Sequence, residues 1–268
     1  MSDVLLINSV IREFAPPNNV PLGLLYIASY LEENGHNADV CDLNALRQLN
    51  PNREYWLKKY LRPYDIIGLS GLIVTYQEQR RILDFIIEHD RIFGYPTLIS
   101  GGGLATSVPE FTFDNMPELD MIVIGEGEEA MLDIADGEYE NGCVIDGKSI
   151  GKVWGGHTVI DKSSQLIDGL DKLPFPAWDK VPVEEVYLKN PIWGTGAGNS
   201  SKIGYQAKRS MNMIMSRGCP YNCDFCARMY GRKYRLRSVD DVIEEICTLK
   251  KLYDVDFVGF VDDNTCAS

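Results

Sequence analysis

A chain of 268 residues, 45% hydrophobic and 24% charged, has room for one large domain or two modest ones, and its make-up excludes disordered, collagen-like and low-complexity proteins. Its 26 basic and 39 acidic residues leave a net charge of -13, which disfavours a nucleic-acid binder acting through its whole surface. No run approaches the ~20 apolar residues of a membrane span, and the N-terminus MSDVLLINSV lacks a basic leader; a cytoplasmic location without a membrane partner is expected.

Val4 to Asn8 is an apolar run of strand length, followed by a loop with Pro16-Pro17 and Asn18-Asn19 and a helical pattern opened by Pro21 and closed by Gly35. The unit recurs: strand Ala38 to Cys41, helix Arg53 to Arg62, strand Ile66 to Leu69, helix Gln77 to His89, strand Thr97 to Ser100, short helix Val108 to Phe113, strand Met121 to Ile124, helix Glu128 to Ala135. Strands alternating with helices predict a parallel sheet covered on both faces, a doubly wound, flavodoxin-like α/β domain over residues 1–136. Such sheets bind ligands beyond the carboxyl ends of their strands, which directs attention to the loops Ser9 to Val20, Ser70 to Tyr76, Gly101 to Ser107 and Gly125 to Gly127.

Residues 137–210 read as a connector with one small hairpin, turns at Asp146-Gly147 and Gly155-Gly156, and a Pro-rich stretch from Leu173. Strand character returns at Met211 to Met215, Ser238 caps a helix whose apolar residues keep helical spacing from Val239 to Tyr253, and a strand follows at Phe257 to Val261. One β-α-β unit cannot cover its own sheet, so residues 211–268 are expected to open a larger domain that this chain does not finish.

Of seven cysteines, Cys219, Cys223 and Cys226 stand as C-x3-C-x2-C just after the apolar strand. In a reducing compartment such a cluster points to metal binding or catalysis before disulfides. Three thiolates on one loop suit three irons of a cubane and leave the fourth open for chemistry. Structural zinc is the alternative; it wants four protein ligands, and no fourth stands in regular spacing.

The stretch SRGCPYNCDFCARMYGRKYRLRS resembles the cluster loop of radical S-adenosylmethionine (SAM) enzymes. The resemblance implies that Cys219, Cys223 and Cys226 bind a 4Fe-4S cluster whose free iron chelates SAM. An electron, supplied by a donor such as flavodoxin or ferredoxin, then cleaves SAM to a 5'-deoxyadenosyl radical. It places Phe225 near the adenine through its backbone, and Asp262 and Asp263, in FVDDN at the end of the second barrel strand, near SAM. Capping is an equal reading of either acid alone. Where many relatives carry an aromatic after the Asn, this chain has Thr265.

PLGLLYIASYLEENGH, GLSGLIV, ISGGGLATSVPE, VIGEGEE and LDKLPFPAWD, in that order, resemble the cobalamin-binding domain fused to one branch of radical SAM proteins. The implied cobalamin contacts are Ser70 and Leu72, Gly101 and Gly102, and Gly125, Glu126 and Gly127. Glycine lets a corrinoid tail lie against the backbone, and Gly127 opens a helix whose N-terminus suits a phosphate; ordinary turn glycine is the alternative at each. The loop Ser9 to Val20 has no histidine, so cobalt is not His-ligated from it. Tyr76 is a candidate to lie under the cobalt or simply to pack. His36, His89 and His157 receive no metal role, with His36 expected at the surface.

From Lys202 to Arg237 nine basic residues face the single acid Asp224, leaving -21 on the rest of the chain. The arginines are expected to answer anionic groups of SAM, cobalamin or substrate. The implied function is a cobalamin-dependent radical SAM enzyme acting on a small-molecule or natural-product substrate, most simply transferring a methyl group to an unactivated carbon. The alternatives are a methylthiotransferase-like enzyme acting on RNA, or a fragment that only binds cobalamin and a cluster.

Overall fold

Apolar strand segments separated by helices build a parallel sheet. In the computed structural model β1 (Asp3–Asn8), β2 (Asn37–Asp42), β3 (Ile66–Ser70), β4 (Thr97–Gly101) and β5 (Met121–Ile124) lie in the order β2-β1-β3-β4-β5, all parallel. This is the flavodoxin-like order, in which the connections change sides between β1 and β3. The structure describes residues 1–140, 143–144, 150–154, 157–161, 166–190, 207–226 and 230–265, with backbone alone described for the strands between 139 and 161.

The inner strands are mostly apolar because both faces are covered, while the edge strand β2 (NADVCD) mixes polar and apolar residues. Val4 and Leu6 of β1 join a core shared with α1 (Leu22–Glu33), while Leu5 and Ile7 join the opposite core, as the two-residue period of a strand requires. The opposite core is closed by α2 (Leu43–Leu46), α3 (Arg53–Lys59), α4 (Tyr76–Glu88), α5 (Asp90–Phe93), α6 (Gly102–Ser107) and α7 (Pro109–Asn115), and the α1 face is completed by α8 (Glu128–Ala135). Each fully buried Leu or Ile on these faces contributes roughly 1.5–3 kcal/mol relative to exposure. The glycine loop after β4 is shorter than the sequence reading had it, since α6 begins at Gly102.

Helix α1 stops where the Gly35 signal places it: the Gly35 amide donates to the Glu32 carbonyl and the His36 amide to the Leu31 carbonyl, the paired bonds of a Schellman ending. The reversal carries His36 inward, contrary to its expected surface position. It is buried, its Nδ1 accepts from the Ser2 amide and its Nε2 lies 3.1 Å from the Asp136 carboxylate.

Beyond α8 come β6 (Tyr139–Glu140) and β7 (Cys143–Val144), then β8 (Ile150–Trp154) and β9 (His157–Asp161). The expected small hairpin is β8-β9, and it joins the sheet: β9 pairs parallel with β5 and antiparallel with β8, making seven strands. Residues 166–190 then lie over α1 through three short 3-10 turns. Leu170, Leu173, Trp178 and Val186 enter the α1 core, and the Ala177 amide donates to the Leu25 carbonyl. The buried Tyr187 hydroxyl donates to Asp42, which also accepts from Asn8 Nδ2 at 2.8 Å.

The last unit is β10 (Ser210–Met213), β11 (Ser216–Arg217), β12 (Arg235–Leu236), α9 (Val239–Tyr253) and β13 (Phe257–Phe260). β10 and β13 pair parallel across α9, and β11 pairs antiparallel with β12. The first strand is thus shorter than Met211 to Met215, the chain turning at Ile214 into β11. Ser238 caps α9, its Oγ accepting from the Asp241 amide. Met211, Ile214, Leu249 and Val255 join the α1 core, so the second unit is packed onto the first sheet. No described helix is long and apolar enough to cross a membrane.

Candidate functional site

The loops at the carboxyl ends of β1, β3, β4 and β5 enclose a cavity of about 250 Å³. Ser70, Leu72, Gly101, Gly102, Gly125, Glu126 and Gly127, chosen from the sequence, all line it. Its floor is apolar: Leu6, Ile27, Ile99, Val123 and Met131. Gly102 has φ +75°, and a Cβ there would stand 2.8 Å from Ser70 Oγ and 3.4 Å from the Gly71 carbonyl oxygen. Only glycine combines that conformation with that closeness. Gly101 is extended at φ -138°, and a Cβ on it would meet nothing nearer than the Val123 carbonyl oxygen at 3.9 Å.

The opposite wall comes from the last unit: Ile214, Arg217 and Tyr230. Arg217 Nη2 donates to Glu128 Oε1 at 2.6 Å, and its Nη1 lies 3.3 Å from Glu126 Oε1. Arg235 holds both oxygens of Glu126 at 2.7 and 2.9 Å, and Glu126 Oε2 also accepts from the Ile167 amide at 2.9 Å. All four side chains are buried. Burial alone would push the Glu126 carboxyl up, but the Arg235 hydrogen bonds and the Arg217 charge outweigh it and hold it below its ordinary value. Arg237 is buried beside Asp241 and Glu245 and donates to the Ile214 carbonyl.

These pairs correct two expectations. Arg217, Arg235 and Arg237 do not await an anionic ligand; protein carboxylates already hold them. At the start of α8 the Glu128 carboxylate sits at the positive end of the helix, so that position does not suit a phosphate as the Gly127 reading had it. What the cavity offers is an apolar floor, glycine edges and an interior in which Glu126 and Glu128 are neutralised. That is a fit for a planar apolar group such as the tail base of a corrinoid.

The cysteine loop grows from the β11-β12 pair, whose register joins Arg217 to Arg235. Between them Gly218 turns at φ +84°, where a Cβ would lie 2.4 Å from the Lys233 carbonyl oxygen, and the Cys219 amide donates to the Gly231 carbonyl. Cys219 is half-buried, and Cys223 and Cys226 are exposed, with the Cys226 amide donating to the Cys223 carbonyl. Among the described residues no three His, Cys, Asp or Glu side chains are gathered as a metal would hold them. The structure thus brings the three cysteines onto one short loop but not into a ready ligand set. Phe225 stands out at 93% exposure.

Asp262 accepts from the Met215 amide and the Ser216 hydroxyl, both at 2.9 Å, so its carboxylate ties β13 to the turn after β10, the capping alternative. Asp263 beside it is exposed. Tyr76 is absent from the cavity wall, and its ring stands edge-on to Phe111 at 5.1 Å between centroids, the contact of the packing alternative. The loop Ser9 to Val20 is held by Arg47, which donates to the Glu13 and Ala15 carbonyls, and by Asn212, which accepts from the Val20 amide. His89 Nδ1 donates to the Phe85 carbonyl at 2.8 Å, and the His157 side chain lies outside the described residues. Sequence reasoning missed Ile214, Arg217 and Tyr230. The signal available was the acidic pair in EGEE set against the basic segment around the cysteines.

An α/β sheet with its cavity at a glycine-edged carboxyl end, joined to a β-α-β unit that carries three cysteines, defines the class of protein. Residues 9–135 match the B12 binding domain family, and the chain shares its fold with cobalamin-dependent radical SAM enzymes of known structure. It is 28% identical to the cytidylyl-2-hydroxyethylphosphonate methyltransferase of Streptomyces wedmorensis, over 97% of this chain and 54% of that protein. It superposes with a TM-score of 0.71 and 22% identity on the cobalamin-dependent SAM radical enzyme OxsB, solved with aqua-cobalamin and SAM, over 98% of this chain and 34% of that one. On the radical SAM methyltransferase TsrM of Kitasatospora setae, solved with tryptophan and a SAM analogue, the TM-score is 0.70 with 17% identity, over 97% and 47% of the two chains. The chain spans about half the length of curated relatives that it matches.

Proposed function

We propose that this chain is the cofactor-binding part of a cobalamin-dependent radical SAM enzyme that transfers a methyl group to an unactivated carbon of a small-molecule substrate. The observation that carries the reading is one continuous site: a B12-binding domain whose cavity is walled on its far side by residues at the two feet of the cysteine loop. Two of the similar proteins, one by sequence and one by fold, are methyltransferases, which supports methyl transfer over the RNA-directed and binding-only alternatives.

In this reading Cys219, Cys223 and Cys226 hold the 4Fe-4S cluster, Phe225 and Asp263 lie by SAM, and Ser70, Leu72, Gly101, Gly102, Gly125 and Gly127 cradle the corrinoid. When bound, the cluster with SAM supplies the radical that opens a C-H bond, and the corrinoid supplies the methyl group. The chain's own work is to position and to keep water out. The apolar floor accepts the flat base, and the glycine edges let it lie against backbone. The paired Glu126 and Glu128 keep negative charge away from it, and Asp262 fixes the turn that leads into the cysteine loop.

Anaerobic reconstitution with iron, sulfide and hydroxocobalamin tests this. The expected result is a near-stoichiometric cubane whose paramagnetic resonance spectrum shifts on adding SAM, together with bound corrinoid. Cys223→Ala should lose the cluster and its SAM response while the protein remains folded by circular dichroism. Zinc in place of iron would sink the radical reading, and a cluster without corrinoid would remove the cobalamin half of it. Gly101→Val is the complementary variant. Its extended backbone takes the side chain without strain, so the melting temperature should hold while corrinoid affinity drops by tenfold or more, on the order of 1.4 kcal/mol, as the new side chain fills the cavity.

A further inference from the structure

We infer that Arg217 and Tyr230 are positioning residues that make occupancy of the sheet-end cavity and assembly of the cysteine loop depend on each other. The inference rests on the two-cofactor reading above and adds a property to it: the two sites share a wall. Arg217 and Tyr230 both line the cavity. Arg217 is two residues before Cys219, and its backbone is half of the β11-β12 pair that closes the base of the loop. Tyr230 immediately precedes Gly231, whose carbonyl receives the Cys219 amide at 3.3 Å. A group filling the cavity therefore presses on both feet of the loop.

The wall is anchored firmly enough for that pressure to matter. The Arg217 guanidinium is held by Glu128 at 2.6 Å and Glu126 at 3.3 Å, the acids on either side of Gly127, itself part of the cavity edge. It also lies over the Tyr26 and Tyr230 rings, 5.3 and 5.5 Å from their centroids, as a cation on aromatic faces does. The turn at Gly218 leaves little slack between Arg217 and Cys219, because even a Cβ there would stand 2.4 Å from the Lys233 carbonyl oxygen. Cys223 and Cys226, by contrast, are exposed and not gathered. Drawing three thiols onto one cluster must fix the loop, and whatever fixes its feet beforehand lowers the entropic cost of that step. Coupling between binding sites is reciprocal, so a corrinoid that favours the cluster is favoured by it to the same degree.

The test is a titration of the full chain with hydroxocobalamin, followed by its absorbance, before and after anaerobic cluster reconstitution. The cluster should tighten corrinoid binding about tenfold, within the usual range of coupled sites, and prior corrinoid should raise the yield of cluster at limiting iron. Tyr230→Ala, which strands no charge, and Arg217→Lys, which keeps the charge but loses the fork, should bring the ratio of affinities toward one while both cofactors still bind. Equal affinities with and without the cluster in the unaltered protein would overturn the coupling and leave the two-cofactor reading intact. So would an undiminished ratio in both variants. Failure of the protein to bind corrinoid at all would overturn the two-cofactor reading and the coupling with it.

Discussion

Arg235→Met is expected to lower folding stability by about 3–5 kcal/mol, measured as a fall in the urea midpoint with little change in slope. The substitution keeps most of the volume but removes the two hydrogen bonds to Glu126 and the one to the Ile167 carbonyl. It leaves a buried carboxylate with Arg217 at 3.3 Å and the Ile167 amide as its partners. Most of the loss is the cost of that half-answered charge, so Glu126→Gln made together with Arg235→Met should recover part of it. The pH dependence carries the same signature. The folded Glu126 carboxyl is depressed, so its contribution is complete above the ordinary carboxylate range near about pH 4.3 and is lost as pH falls through its lower folded value. The gap between the parent and Arg235→Met should therefore narrow in acid. A midpoint unchanged at neutral pH would mean that Arg217 alone suffices for Glu126.

Gly218→Ala is expected to abolish cluster assembly and to destabilise the second unit. At φ +84° an L-residue carries roughly 1–2 kcal/mol of strain. The added Cβ would also stand 2.4 Å from a backbone oxygen, which unlike a side-chain tip cannot swing aside. Relief requires Lys233 to retreat, and with it the pairing of Arg217 with Arg235 and the bond from the Cys219 amide to Gly231. Iron and sulfide content after reconstitution, read beside thermal unfolding, separates the outcomes: normal cluster content in the variant would show that the loop assembles without this turn.

The inner parallel strands were legible because burial on both faces writes them as apolar runs, MIVI and VLLI among them, and the polar-flanked edge strand β2 through its place between two helical patterns. The glycines of the cavity were legible only together: each alone reads as an ordinary turn glycine, and their recurrence at the ends of β4 and β5 marked the loops to inspect. The β8-β9 hairpin was recognised but not its place, since an edge pair mixing Lys152 and Thr158 with apolar residues carries no mark of which sheet it joins. His36 reads as surface after a helix-ending glycine, and only the distant Ser2 and Asp136 make its burial favourable. The arginines were misread because composition shows a charge and not its partner; Glu126 lies 109 residues from Arg235. Of the site, the loops and cysteines lay in local pattern, and the wall that joins them did not.

The segment 166–190 gives the molecule a further property. Leu170, Leu173, Trp178 and Val186 are interleaved with Leu25 and Leu31 of α1 and with Met211, Ile214 and Leu249 in one apolar cluster. Swinging the second unit away from the sheet would strip those contacts together, an opening closer to tearing a core than to bending a hinge. Admission of a bulky guest then falls to the rim, where Leu72, Ile73 and Val74 are exposed at the β3 end. The rim loops, rather than the joint between the two units, are where entry is expected to require movement.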